Sequence, residues 1–214
     1  MASTSDVRPG VWLDHFVVAI DDLEIGIDAF EALSGVRPVY GGEHPALGTH
    51  NALVSLGRDH YLEIVAPRPG VQLDPMFRAA SEHTTLTPIL WALATDAIGS
   101  LHGTATSTGL AANEPAPGSR LTDDDETIRW TMFTMDGGDL INAPFFIQWD
   151  PGTEHPAASS PAGCRLQSFT LATPTPDRLE RLLTSVGFPL EMVSGPARTV
   201  ISIETPQGVV TLGD

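Results

Sequence analysis

Seven histidines, one cysteine and 27 carboxylates make up most of the reactive inventory of these 214 residues. Cys164 stands alone, which excludes an intramolecular disulfide and any zinc or iron–sulfur site built on a cysteine cluster. No G-x-x-x-x-G-K-[ST] loop and no G-x-S-x-G elbow occurs, and Gly26 belongs to no dinucleotide fingerprint, so no nucleotide cofactor is expected. His44 and Asn51 have the more suggestive context, the glycine-rich stretch Gly41 to Leu53. Glycines permit the backbone shapes that loops around ligands need, and Pro45 restricts His44 to an extended conformation able to aim its imidazole inward. Asn51 offers a small polar substrate both a donor and an acceptor. The alternative is a turn in which these two side chains bond backbone groups.

Trp91, Trp130, Phe133, Phe146 and Trp149 can line an apolar cleft with Gln148 as its one polar contact, or they can be core. The run Asp123-Asp124-Asp125-Glu126 lacks the glycine and spacing of a calcium loop and reads as solvated. His50, His60, His83, His102 and His155 sit in contexts that read as surface.

Three stretches carry the elements that must position these groups. The first opens with a strand, Val11 to Ile20, followed by a helix with a capping-box pair at Asp21 and Glu24 and a stop at Gly35. Short β-like runs follow at Arg37 to Tyr40, Asn51 to Leu56 and Tyr61 to Val65. The second opens with Ile89 to Thr95, then a helix that Asp96 can cap and Gly109 ends, then strands Ile128 to Met135 and Leu140 to Trp149 around the turn Asp136 to Asp139. The third opens with Leu166 to Thr173. Thr175 and Pro176 start its helix, Leu179, Leu182, Leu183 and Val186 share one face, and Gly187 closes it. Its later strands are Leu190 to Ser194, Thr199 to Glu204 and Val209 to Leu212.

Gly35, Gly109 and Gly187 fall 74 and 78 residues apart, and His15, Trp91 and Ser168 fall 76 and 77 apart. Coincident punctuation of this kind points to one βαβββ unit used three times. The expected division is two modules over 11–68 and 88–150, a Pro/Ser/Ala linker over 151–163, and a third module over 164–214. The fold class is α+β, with repeated βαβββ modules forming a curved mixed sheet around a cleft.

Ordered motifs carry a family resemblance: Leu13-Asp14-His15-Phe16-Val17-Val18, Gly41-Gly42-Glu43-His44-Pro45, Gly48-Thr49-His50-Asn51-Ala52-Leu53, Tyr61-Leu62-Glu63-Ile64-Val65-Ala66-Pro67 and Pro144-Phe145-Phe146-Ile147-Gln148-Trp149. The sequence resembles the glyoxalase-like domain proteins of the vicinal oxygen chelate superfamily. That resemblance implies paired modules enclosing a cleft, with metal ligands on the first and last strands of each. His15 and Glu63 match the ligand places of the first module, and Trp91 and Gln148 those of the second. The implied metal set is His15, Glu63 and Gln148 around Zn²⁺, Ni²⁺, Fe²⁺ or Mn²⁺, a thin site because Trp91 cannot coordinate. Without a metal, Glu63 facing a cleft can act as a catalytic general base. His44, Asn51, Trp91 and Gln148 are the expected substrate contacts.

Two functions compete: a glyoxalase-like enzyme (lyase, isomerase or dioxygenase) acting on a small oxygenated metabolite, and a resistance-type protein that binds small molecules without chemistry. A net charge of −16 makes nucleic acid and anionic membrane surfaces poor partners. The start Met1 to Asp6 lacks the basic and apolar regions of a signal peptide, so a cytoplasmic location is expected. An odd number of modules leaves one apolar sheet face uncovered, from which a homodimer is expected.

Overall fold

The computed structural model describes residues 10–122, 126–135 and 142–213. Asp123 to Asp125 of the acidic run, the turn Asp136 to Asp139, the Leu140 end of the expected strand and the segment Met1 to Asp6 lie outside the described residues.

β1 (Val11–Ala19) is buried on both faces from Leu13 onward. Its neighbours explain why: β4 (Tyr61–Pro67) pairs with it in parallel, and β5 (Thr87–Thr95) runs antiparallel along its whole other edge. The connection to β4 needs a crossover, which α1 (Leu23–Ser34) provides. Asp22 rather than Asp21 caps α1, its Oδ1 accepting from the Ile25 N–H at 3.1 Å, and Gly35 ends it at φ 75°. Gly26 lets the helix lie close on the sheet, since a Cβ there would meet Ile20 Cγ2 at 2.8 Å and Ile64 Cγ2 at 3.0 Å. β2 (Val39–His44) and β3 (Thr49–Ser55) complete the sheet order β1-β4-β3-β2.

The second module repeats this order with β5, α2 (Ile98–Ser107), β6 (Ala116–Leu121), β7 (Thr127–Thr134) and β8 (Phe145–Trp149), paired β5-β8-β7-β6. The composition of β6, Ala-Pro-Gly-Ser-Arg-Leu, hides it among turn formers, and the sequence reading passed it over. Such a strand is tolerated at an edge, where a proline costs no ladder bond. The two sheets join into a closed barrel. One seam runs the length of β1 and β5, whereas the other rests on the single pair Glu43–Leu121. At that thin seam Gly42 (φ 130°) has no room for a side chain, because a Cβ would meet the Leu121 carbonyl oxygen at 2.1 Å.

β9 (Arg165–Thr173), α4 (Pro176–Ser185), β10 (Met192–Ser194), β11 (Arg198–Thr205) and β12 (Gly208–Leu212) again have the order βαβββ. They pair differently, as β10-β9-β11-β12, with the opening strand inside the sheet. Leu171, Ile201, Ile203 and Leu212 from this sheet share one core with Phe16, Phe30, Trp91 and Leu101 on the outside of the barrel. The apolar face from which pairing with a second copy was expected is therefore covered within the chain.

After β8 the chain forms α3 (Pro156–Ser159), which sets Ala157 against Leu53 and Tyr61 on the inward side of the barrel. Segment 151–163 is thus packed onto the barrel as well as connecting its neighbours. Among the described residues no helix is long and apolar enough to cross a membrane.

Candidate functional site

Alternation along β1 sends His15 and Val17 into the barrel while Phe16 and Val18 face the outer core. His15 is in register with Tyr61 on β4, so Tyr61 and Glu63 point the same way. Asn51 on β3 and His44 on β2 complete one polar wall of a hollow of about 280 Å³. All five side chains are buried.

Glu63 is the hub of this wall. Its Oε1 accepts a hydrogen bond from Asn51 Nδ2 at 2.7 Å. His15 Nε2 lies 3.6 Å from Oε2, and His44 Nε2 lies 3.8 Å from Oε1, so each imidazole approaches a different oxygen. Thr49 Oγ1, 3.1 Å from Nδ1, orients the His44 ring. Burial pushes the His44 pKa down, outweighing the opposite pull of the Glu63 charge, and nearby Arg120 adds to the depression. His44 is therefore neutral at pH 7. His15 stacks on Tyr61 with ring centroids 4.4 Å apart. Burial drives the Tyr61 phenol well above its ordinary range, and the Asp14 and Glu63 charges reinforce the shift.

A bulge in the β1–β5 ladder falls between Leu13 and His15, at Asp14. Bulges re-aim side chains, and here the fully buried Asp14 reaches Trp149 on the facing strand β8. Its carboxylate accepts from Trp149 Nε1 at 3.1 and 3.2 Å and from His155 Nε2 at 3.2 and 3.3 Å. His155 Nδ1 accepts from the Ala157 N–H, which leaves the ring proton on Nε2, where it donates to Asp14. His15 Nδ1 stands 3.5 Å from the same carboxylate and has no hydrogen bond of its own. Burial alone would raise the Asp14 pKa, but His15 and His155 beside it hold the carboxyl well below the usual carboxylate range.

The opposite wall is built from Leu90, Trp130, Met132, Phe145, Ile147 and Trp149. Pairing registers match the walls residue for residue. His15–Tyr61 across β1 and β4 corresponds to Ala92–Phe145 across β5 and β8, which makes Ala92 the counterpart of His15 and Ile147 that of Glu63. Leu53–Glu63 and Asn51–Val65 correspond to Met132–Ile147 and Trp130–Trp149, so Trp130 stands where Asn51 does. Continuing outward, Gly42–Asn51 corresponds to Gly118–Trp130, and His44–Thr49 to Arg120–Ile128. Arg120 is the counterpart of His44 and the buried charged residue on this wall, whose exposed rim adds Asn113, Glu114 and Ser119.

Trp91 and Gln148 consequently lie one residue off the places assigned to them, on the outer face of the barrel. Trp91 is fully buried, donates from Nε1 to the Asn142 carbonyl at 2.9 Å, and packs against Phe169 and Phe188 of the outer sheet region. Gln148 Oε1 accepts from the Ile98 N–H at 2.8 Å, supplying the cap for α2 that was expected of Asp96. Neither reaches the hollow, because a shift of one residue along a strand exchanges the two faces.

Without Gln148, the expected metal set loses its third member. Asn51 already bonds one Glu63 oxygen, the second module offers Ala92 and Ile147, and the Arg120 guanidinium lines the same hollow. Among the described residues no group of three or more His, Cys, Asp or Glu is placed to hold a metal ion. The set expected from the sequence, His15, Glu63 and Gln148, is therefore not assembled around the hollow.

Asp14, Tyr61 and Arg120 were not singled out in the sequence, and His155, expected at the surface, instead bonds Asp14. Asp14 and Tyr61 stand inside quoted motifs beside His15 and Glu63. A signal for Arg120 exists in the paired strings Gly42-Glu43-His44 and Gly118-Ser119-Arg120, legible only once β6 is known to be a strand. His155 has no local signal, since its partner lies 141 positions earlier.

A hypothetical protein from Staphylococcus aureus shares the fold with TM-score 0.68 and 17% identity, over 96% of this chain and 86% of that one. Methylmalonyl-CoA epimerase from Mycobacterium tuberculosis aligns with TM-score 0.45 and 18% identity, over 72% of this chain and 94% of that one. A hypothetical protein from Bacillus halodurans aligns with TM-score 0.48 and 12% identity, over 68% and 99%. No curated protein matches the sequence. The glyoxalase-like domain family matches residues 13–187, which takes in the barrel from the third residue of β1 and runs on past the end of α4. The chain belongs to the glyoxalase-like domain family.

Proposed function

We propose that this chain is an enzyme that moves a proton on a small oxygenated metabolite, with Glu63 as the base. The observation that carries the reading is the Glu63 carboxylate, fixed by Asn51 at 2.7 Å and facing a hollow whose other wall is apolar apart from Arg120 and an exposed polar rim. A general base works best when its position is set before the substrate arrives, and the Asn51 bond does that here. A C–H beside a carbonyl gives its proton to Glu63, and the electron pair moves onto the carbonyl oxygen. Neutral His44, oriented by Thr49, donates to that oxygen from Nε2. Return of the proton to the other face of the carbon, or to a neighbouring atom, completes an epimerisation or isomerisation. His15, 3.6 Å from Oε2, is placed to exchange the proton with Glu63.

The test is solvent exchange. The protein is incubated in D₂O with a panel of small 2-oxo and 2-hydroxy compounds, and deuterium uptake at carbon is followed by proton NMR. Exchange with the native chain that is lost in Glu63→Gln supports the reading. Exchange that survives in Glu63→Gln overturns it. The apolar wall favours a second reading, a binding protein without chemistry, and saturable ligand binding with no exchange would replace the first by the second.

A further inference from the structure

We infer that the hollow is built for a monoanionic 2-hydroxycarboxylate, with Arg120 as the group that receives its carboxylate. This deepens the proposed function and rests on it for the reaction, though not for the binding.

Arg120 is 6% exposed, lines the hollow, and makes no ion pair or side-chain hydrogen bond among the described residues. Its Nε is buried without a partner. A guanidinium removed from water and left unpaired is costly, so a fold that keeps one there has a use for it when the hollow is filled. The backbone is shaped to leave it in place. A Cβ on Gly41 would meet Arg120 Nη1 at 2.7 Å and Asn51 Oδ1 at 2.5 Å, and one on Gly42 would meet Arg120 Cγ at 3.2 Å.

The same corner holds a second orphan, Asn51 Oδ1, buried and without a partner. Asn51 spends its amide N–H₂ on Glu63, which accepts only, so the oxygen faces Gly41 and Arg120. An occupant must therefore present acceptors to a planar cation and a donor beside them. A carboxylate with a hydroxyl on the adjacent carbon does both, and places that carbon's hydrogen toward Glu63. Charge selects the carboxylate over a phosphate dianion, because the lining holds one guanidinium against the carboxylates of Glu63 and, at the exposed rim, Glu114, with His44 neutral. Trp130, Phe145 and Trp149 supply contact for a ring or branched chain on the same molecule.

The decisive measurement is calorimetric titration of the native chain with glycolate, lactate and mandelate, each against its neutral amide. Mandelate is expected to bind best and mandelamide at least about tenfold more weakly, because a site built to pair a charge rejects the analogue lacking it. Arg120→Met should abolish the preference for acid over amide while keeping the melting temperature equal or higher. Arg120→Lys, which keeps the charge but loses the planar fork, should retain part of the preference. Equal binding of acids and amides, no binding of any acid, or a sharp fall in melting temperature in Arg120→Met would overturn the inference. Mandelate bound by Glu63→Gln and by the native chain alike, with no deuterium exchange in either, would leave the carboxylate site standing and remove the enzyme. Exchange on neutral ketones that ignores Arg120→Met would do the reverse.

Discussion

The two halves of the barrel share strand order and pairing register, yet one wall is polar and the other is greasy. His15, Asn51, Glu63 and His44 face Ala92, Trp130, Ile147 and Arg120 at corresponding positions. The difference teaches that duplicated scaffolding need not duplicate chemistry. Backbone pairing fixes where side chains point, and only the identity of each inward residue decides what the position can do. The polar wall is also where local rules of good packing are broken. His15 Nδ1 and Asn51 Oδ1 are buried without partners there, and departures of that kind concentrate at sites of function. On the other wall the same departure occurs once among the described residues, at Arg120.

If the asymmetry is chemical, the largest effect comes from the polar hub. Glu63→Gln keeps the side-chain shape and the contact with Asn51 but removes the base, and exchange should fall by about 10²–10⁴-fold, the usual range for positioned acid–base groups. Ligand binding in that variant should remain within reach of the native value. A loss of both together would mean that the carboxylate supports the wall rather than the reaction, and the contrast between the halves would become one of stability only.

Asp14 tests what holds the polar wall up. Trp149 on the facing wall and His155 after it donate to Asp14, and removing the acceptor charge leaves these donors poorly matched. Asp14→Asn should cost about 1.5–3 kcal/mol in denaturant unfolding, the range for buried hydrogen bonds to a charged acceptor. The folded state holds the Asp14 proton affinity below that of the unfolded chain, where an aspartate titrates near about 4. Stability from Asp14 is therefore complete above about pH 4 and is lost progressively as pH falls below it. The melting temperature of the native chain should drop through that window, and the slope should be shallower in Asp14→Asn.

His44 has the opposite charge logic. Burial lowers its proton affinity in the fold, so below about pH 6.5 the unfolded chain takes up a proton that the folded chain refuses. Stability is lost as pH falls from 6.5 toward the folded value, and His44→Gln should flatten the melting temperature over that interval. A native curve unchanged between pH 7 and 5 would mean that His44 is less enclosed than the wall requires.

Element type was legible in the sequence wherever a periodic apolar run met a helix stop. Gly35, Gly109 and Gly187 all take positive φ, and the leucines of α4 are buried as the spacing predicts. β6 was not legible because its fitness as a strand comes from the seam it closes, not from its own residues. The first wall of the site was legible because His15 and Glu63 stand in motifs of short range. The second wall was misread by one place. Trp91 and Gln148 were matched by sequence, and the local strings Phe146-Ile147-Gln148-Trp149 and Tyr61-Leu62-Glu63-Ile64 do not reveal which residue of each faces inward. Only pairing across β5 and β8 settles that, and pairing is a non-local property.

Gln148 gives the smallest effect and the sharpest check on that one-residue shift. As a ligand it would belong to the hollow; as a cap it belongs to α2, whose preceding residue Ala97 offers no side-chain acceptor. Gln148→Ala should then cost about 0.5–2 kcal/mol, the range for losing a side-chain acceptor at a helix start. Deuterium exchange and acid-over-amide preference should stay at native values, since the side chain points away from the hollow. Thr95 Oγ1 still accepts from the Ala97 N–H, which keeps the loss near the lower end of that range. A variant of native stability with impaired binding would put Gln148 back inside the barrel. It would also shift every inward residue of β8 by one, and so erase the apolar wall.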